Sequence, residues 1–398
     1  MKLETRIKAI GLEGGAALVG IARSESLASA PPSGNPDYLL PSTRSIVSFA
    51  IPLERKITRD YLAKKEWLAH GADQKRIYQK LYNITDRLVD FLKGKGFEAK
   101  GVEANNIYRP EPGGTDAINR VLAIPDFSHR YAAVAAGLGQ LGWSGNLMTP
   151  QFGSAVFLGS VLTSAVLKAD RVLEENPCDK CRLCTTVCPV EMIDKKQSVS
   201  VEIAGREYSY GKKGINARCI IGCGGYHGLS PNKKWSTWSP YRVDYPLPED
   251  EIALVALSRR VRAADPYRQE SRALLTQKDK CFDPNEIYIN TCGNCALICW
   301  ERREDRVENQ RLLLNSGVVV LTSQGRRVPM APEDTMELDT PFEVKVAVPR
   351  ERASIVHKPA AVPSERRSGP VTHLDIQVMS FLASENLSHR SIRQQRIR

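Results

Sequence analysis

The sequence predicts an α+β chain: an N-terminal α/β domain followed by a ferredoxin-like domain carrying two [4Fe–4S] clusters. Three observations predict it. Strand and helix periods alternate over roughly the first hundred residues. Two cysteine runs follow, Cys178, Cys181, Cys184 and Cys188 as C-x2-C-x2-C-x3-C-P and Cys292, Cys295 and Cys299 as C-x2-C-x3-C. Most of the 398 residues lie outside those runs, so the chain has sequence enough for a core of its own.

The elements read in order as follows. Residues 3–22 give an amphipathic helix with Leu3, Ile7 and Ile10 on one face, and then a short strand at Leu18-Val19-Gly20-Ile21. Residues 28–41 are rich in Pro, Ser and Gly and read as loop. Residues 45–51 are β-branched and apolar up to Pro52, the signature of a buried strand. Ile77, Leu81, Ile84, Leu88, Val89 and Leu92 mark a core-facing helix over 74–93, stopped by Gly94 and Gly96, and 97–102 suggests another strand. Beyond the first cysteine run, 224–280 is loop-like and rich in Trp and Pro, with a helix expected over 249–264. A charged helix over 301–314 leads to a strand at 318–321. Residues 350–369 read as linker and 373–387 as a short amphipathic segment. The expected divisions are 1–170, 171–312 with an insertion at 224–290, and a C-terminal extension over 313–398.

The cysteines carry the strongest chemical signal. Thiolates two residues apart on a tight loop hold several corners of one iron–sulfur cube, and a cysteine followed by proline reaches to a second. Cys178, Cys181, Cys184 and Cys299 are expected to hold one cube. Cys188, Cys292 and Cys295 need one more ligand for the other, from Cys219, Cys223 or Cys281. A zinc ribbon would use two C-x2-C pairs and leave Cys184, Cys188 and Cys299 without purpose. Ten cysteines at these spacings are metal ligands rather than disulfides.

The first thirty residues hold charges throughout and no apolar export core, and the uncharged run 131–167 is broken by glycines and Pro150. The expectation is a cytoplasmic protein with no membrane span. Net charge is +11, with the excess concentrated toward the C-terminus. Such a balance suits an acidic partner, a flavodoxin or ferredoxin-type electron donor, or nucleic acid; a solvated basic tail is the plainer account.

The cysteine runs, together with Ala136-Gly137-Leu138-Gly139-Gln140-Leu141-Gly142 and the continuation Leu147-Met148-Thr149-Pro150-Gln151-Phe152-Gly153, resemble the epoxyqueuosine reductase and reductive dehalogenase superfamily. Residues 158–163 and 41–47 resemble further stretches of that family, so the resemblance spans about 5–305. It implies a cobalamin bound by the N-terminal domain beside the proximal cluster. The cofactor would be base-off, since no D-x-H-x-x-G motif is present. Matching position by position, Leu147, Thr149 and Leu158 are the implied cofactor contacts. The Arg218-Cys219 step implies Cys219 as the fourth ligand of the proximal cube, with Ile220 toward the corrin. The glycines would let backbone approach the flat macrocycle. Electrons would pass from the distal to the proximal cube and reduce Co(II) to Co(I), and the reaction would remove an oxygen or halogen substituent.

The chain departs from that pattern in two ways. Between Cys219 and Cys292 lie 72 residues, more than epoxyqueuosine reductases carry, and the family's catalytic aspartate falls near Ala123, with Asp126 three positions on. His129, Tyr131 and Tyr108 are the other proton-donor candidates, with Arg130 as a basic neighbour. Trp235 and Trp238 would lid a substrate or form a small core, and Cys223-Gly224-Gly225-Tyr226-His227-Gly228 would line the site or make a tight turn. The competing functions are an electron carrier that reactivates a separate corrinoid enzyme, and a tRNA-directed reductase. The substrate is then a small molecule or borne on tRNA.

Overall fold

The structure, a computed structural model, describes residues 2–102, 125–223, 225, 227–243, 247–250, 252–254, 256–257, 292–322 and 326–336. All of these fall in one compact unit, Met1–Pro110 with Asp116–Lys345. Tyr108, Ala123, Gly224, Tyr226, Cys281, most of the helix expected over 249–264 and the extension beyond 336 lie outside the described residues.

Helix α1 (Leu3–Glu13) buries Ile7 and Ile10, three apart on one face, and leads into β1 (Leu18–Arg23). The Pro-rich stretch makes short 3₁₀ turns, and β2 (Ser45–Pro52) follows, buried on both faces up to Ile51. Helix α2 (Arg55–Leu62) precedes α3 (Leu68–Gly94), which starts six residues before the apolar period reveals it. Its first two turns bury His70, Asp73 and Gln74, polar residues that an apolar template passes over. The short β3 (Ala99–Gly101) follows. Helix α4 (His129–Ala135) is capped by Ser128, whose hydroxyl accepts from the Tyr131 N–H. A small hairpin, β4 (Gln140–Leu141) and β5 (Leu147–Met148), precedes β6 (Val156–Thr163).

The main sheet runs β1-β2-β6-β3, and every neighbouring pair is antiparallel. This corrects the α/β expectation for the N-terminal part: the domain is α+β. The reason lies in the connections. Strands β1 and β2 are joined by turns rather than by a crossover helix. Strands β2 and β3, which α3 connects, are held apart by β6 between them, a split βαβ arrangement.

After β6 come α5 (Leu183–Thr186), a long hairpin of β7 (Ile193–Ile203) and β8 (Arg206–Lys213), and α6 (Asn216–Cys223). Then follow α7 (Asn294–Leu297), α8 (Arg303–Leu314), a ribbon of β9 (Val318–Leu321) with β10 (Arg327–Met330), and α9 (Pro332–Met336). The hairpin and β10 were not foreseen. Ala204 and Gly205, both at positive φ, close β7–β8 as a two-residue turn, and Val201, Ile203 and Tyr208 turn inward from it.

The packing does not break near residue 170. Val187, Leu297, Ile298, Trp300, Leu313 and Val319 join Ile7, Phe49, Ile77 and Leu88 in one apolar core. Trp235 and Trp238 belong to that core, at 2% and 5% exposure, and the Trp238 indole donates to the Tyr61 carbonyl at 2.9 Å. They are packing residues, not a lid. No described helix is long and apolar enough to cross a membrane.

Candidate functional site

The two cysteine runs fold alike. Cys181 is followed by Arg182 in the left-handed region (φ 59°) and then α5; Cys292 is followed by Gly293 (φ 119°) and then α7. Cys184 and Cys295 therefore occupy the same place, the second residue of a one-turn helix, and Cys188 and Cys299 lie four residues further on. Side-chain turns set the first loop: Asn176 Oδ1 accepts from the Cys178 N–H at 2.9 Å and Asp179 Oδ1 from the Cys181 N–H at 3.1 Å. Burial alone would raise the Asp179 carboxyl. Arg306, at 3.1 Å, together with the Cys181 N–H and Arg303, outweighs it and holds the group ionised.

The thiols gather into two adjoining groups. Cys178, Cys181, Cys184 and Cys299 line one recess, with Trp143, Arg182, Ile298 and Arg306 around it. Cys188, Cys219, Cys223, Cys292 and Cys295 are linked by mutual electrostatic influence in a second group, and Cys184 feels members of both. Burial pushes the Cys188, Cys223 and Cys299 thiols up to about 12, and raises Cys181, Cys184, Cys219 and Cys292 too. Cys219 keeps exposed surface, and the protein around it raises its thiol by burial.

Among the described residues, no three His, Cys, Asp or Glu side chains form a group of the kind that holds a single metal ion. Donors already point at the sulfurs: the Trp143 N–H to Cys178 (3.4 Å), the Met192 N–H to Cys188 (3.2 Å) and the Asn146 amide to Cys295 (3.5 Å). A cube held by four thiolates is anionic, and two lysines, Lys64 buried and Lys213 half-buried, stand near the thiols. Lys64, at the end of α2, is 5% exposed, bonds the Ser316 hydroxyl at 3.0 Å and feels Cys292. Lys213, on β8, feels Cys295, Cys219 and Cys184; burial and Arg130 lower it to about 8. The donor set fits an iron–sulfur cube.

The glycine-rich segment packs against the second cysteine run. Gly153 (φ 61°) packs on the carbonyl of Cys299, and Ser154 N–H donates to that same oxygen at 2.6 Å. At Gly153 the close approach that glycine permits is of backbone to the cysteine loop. Leu147 is buried in the core. Thr149 is wholly buried, its hydroxyl donating to the Gly153 carbonyl and accepting from the Phe152 N–H. These two shape the turn. Leu158 is half-buried, and with Val156, Tyr131 and Tyr210 it forms an apolar fringe on a second core. Ile220 lies on α6. An apolar fringe of this kind fits the face of a flat corrinoid ring.

The proton-donor candidates separate. His129 is buried on α4, its Nδ1 2.9 Å from the Ser160 hydroxyl, which ties α4 to β6. Asp126 is half-buried just before that helix. Tyr131 is half-buried, and its hydroxyl is held well above its ordinary value by burial and then by hydrogen bonding to Tyr210. The Lys213 ammonium lies 5.8 Å from the Tyr210 ring centroid, and Arg130 donates to the Gly145 carbonyl at 3.4 Å. The structure thus brings Tyr131, Arg130, Tyr210 and Lys213 together beside the second thiol group. Tyr210 and Lys213 were missed, although the alternation Val199, Val201, Ile203 and Tyr208, Tyr210 around Ala204-Gly205 carried the hairpin that places them. Of the Cys223–Gly228 motif, Gly225 (φ 76°) donates to the Gly222 carbonyl, and His227 is buried with Nδ1 accepting from the Val243 N–H.

The chain is 31% identical to the epoxyqueuosine reductase of Atelocyanobacterium thalassa over 127 residues, 29% of this chain and 41% of that protein. Over this stretch it is similar to the epoxyqueuosine reductases. The Bacillus cereus enzyme matches at 27% over 157 residues, 39% of this chain and 37% of that protein. The chain therefore spans about two fifths of the length of these curated relatives. No family model matches it. Similar solved structures include a catabolic reductive dehalogenase (19% identity, 64% of this chain and 36% of that one, TM-score 0.42). They also include the Bacillus subtilis epoxyqueuosine reductase (18% identity, 79% and 82%, TM-score 0.36).

Proposed function

We propose that the protein is an iron–sulfur reductase of the epoxyqueuosine reductase kind, with two [4Fe–4S] clusters feeding a base-off cobalamin that removes an oxygen or halogen substituent. The observation that carries this reading is the gathering of nine thiols into two adjoining groups, the second flanked by buried Lys64 and by a set of Tyr131, Arg130 and half-buried Lys213. Cys178, Cys181, Cys184 and Cys299 would hold the first cube. Cys188, Cys292 and Cys295 would hold the second, with Cys219 as the fourth ligand that the resemblance implies. When bound, the cubes supply single low-potential electrons and the corrinoid a strong two-electron reductant.

The chain's own groups have the remaining tasks. Leu158 and the fringe around it would bear on the ring, with Ile220 on the side of the second cube. Tyr131, kept protonated by burial, is the proton donor this arrangement favours, with Arg130 and Lys213 stabilising the phenolate it leaves. Asp126 is the alternative; His129, engaged with Ser160, positions α4. Lys180 and Arg182 are exposed beside the first recess and suit an acidic flavodoxin or ferredoxin-type donor. The substrate is a small molecule or a tRNA-borne base; a relative of known structure is described with an epoxyqueuosine-modified tRNA stem loop.

Anaerobic cluster reconstitution followed by cobalamin titration tests the proposal. About eight iron atoms per chain and a base-off Co(II) EPR spectrum are expected. Full iron without retained corrinoid would favour the electron carrier; a salt-dependent shift of tRNA would favour the tRNA substrate.

A further inference from the structure

The two cysteine loops fold alike but fill the same left-handed position differently. After Cys292 it holds Gly293, at φ 119°; after Cys181 it holds Arg182, at φ 59°. Lys180, on the other side of Cys181, is left-handed too, at φ 55°. A residue with a β-carbon is strained there and glycine is not. Strain that a glycine would relieve points to a task for the side chain. Both side chains are exposed, and among the described residues no carboxylate pairs with either; Asp179 is taken up by Arg303 and Arg306. Arg182 lines the recess of Cys178, Cys181, Cys184 and Cys299. Its guanidinium carbon stands 4.5 Å from the centroid of the Trp143 ring, a cation on an aromatic face. That ring is fixed. Its backbone N–H donates to Cys178 Sγ at 3.4 Å, its indole N–H to the Asp194 carbonyl at 2.9 Å, and its carbonyl accepts from the Gly211 N–H at 2.8 Å. Trp143, 5% exposed, therefore holds an unpaired positive charge at one wall of the recess, open to solvent.

We propose that Arg182 couples the docking of an acidic one-electron carrier protein to the potential of the first cube. This rests on the iron–sulfur reading above and deepens its acidic donor into a redox-linked one. With its guanidinium free, Arg182 favours the reduced cube, which is the more negative form. A carboxylate of the docked carrier neutralises that charge, and the cube becomes harder to reduce. Linkage makes the effect reciprocal: the carrier binds the oxidised cube more tightly than the reduced one. The transfer moves one electron from the reduced carrier to the cube; no bond forms or breaks and no proton moves. The cube is then one unit more negative and faces the carrier's carboxylates, so a carrier that has given up its electron is released. Lys180 adds to the attraction from the rim of the recess.

The test uses the reconstituted full chain, with flavodoxin as the probe and EPR-monitored potentiometric titration as the readout. Saturating flavodoxin should lower one of the two cube midpoints of the wild type, by about 60 mV if it binds the oxidised form about tenfold more tightly. Arg182→Gln should start at a lower midpoint and shift no further. Arg182→Lys, which keeps the charge, should behave as wild type. Arg182→Gly removes the strain along with the charge, so its Tm should equal or exceed that of the wild type while the midpoint falls; an arginine kept only for packing on Trp143 would give the reverse. A wild-type midpoint that flavodoxin leaves unmoved would overturn the proposal, and this needs no variant to fold. So would an Arg182→Gln or Arg182→Gly protein with about eight iron atoms and the wild-type midpoint, or a shift produced by a tRNA stem loop and not by flavodoxin. A wild-type chain that takes up no cube, shown by absent charge-transfer absorbance, instead sinks the iron–sulfur reading itself.

Discussion

Gly153→Ala tests how the glycine-rich segment is wired to the cysteine loops. Gly153 has φ 61°, and a Cβ there would collide with the Cys299 carbonyl oxygen and stand 2.5 Å from the Trp300 carbonyl carbon. Both obstacles are backbone, so no side chain can swing aside. The left-handed conformation costs alanine about 1–2 kcal/mol. Overpacking a well-filled site adds about 1–3 kcal/mol. A total of about 2–5 kcal/mol corresponds to a fall in Tm of roughly 2–6 °C for a chain of this size. The displaced backbone belongs to Cys299, so cluster content should fall with stability, from about eight iron atoms toward about four. Differential scanning fluorimetry and iron analysis on anaerobically reconstituted protein read both quantities. A variant with unchanged Tm and full iron would refute the packing argument. Loss of corrinoid binding alone would show that the segment faces the cofactor after all.

Three further outcomes are expected. His70 is 2% exposed, its ring tilted 37° to the Tyr61 ring with centroids 4.2 Å apart, and burial lowers it to about 4. Below the ordinary histidine value the unfolded chain binds the proton first, so stability is full near neutrality and falls as pH drops from about 6.5 toward 4, by roughly 3 kcal/mol. Urea midpoints of wild type and His70→Gln should converge over that window, and parallel curves would contradict the burial account. Lys213→Gln removes a positive charge beside the second thiol group. At interior dielectric this is on the order of 1–2 kcal/mol, or roughly 50–100 mV, toward a more negative potential for one cluster, readable by EPR-monitored titration. Trp238→Ala should cost about 3–5 kcal/mol of stability with cluster content unchanged in the protein that remains folded; a selective loss of substrate affinity would restore the lid reading.

Some of this protein is written locally and some is not. The helices over 3–13 and 303–314 and the strands over 18–23, 45–52 and 318–321 were legible because their apolar residues keep one period and punctuating glycines or prolines bound them. The start of α3 was hidden because His70, Asp73 and Gln74 are buried through polar and ring contacts rather than by hydrophobicity. The β7–β8 hairpin had a readable alternation and turn, but the cysteine runs on either side drew the reading away from it.

By itself, the sequence determined the ligand chemistry. Cysteine spacing along a loop sets which thiols can face one volume, and that is a local property. Only the tertiary structure decided strand direction, because it depends on β6 slotting between β2 and β3 from sixty residues away. It also decided the company the cysteines keep: Lys64 from α2 and Lys213 from β8 come near them through contacts between distant segments. No periodicity along the chain records such contacts.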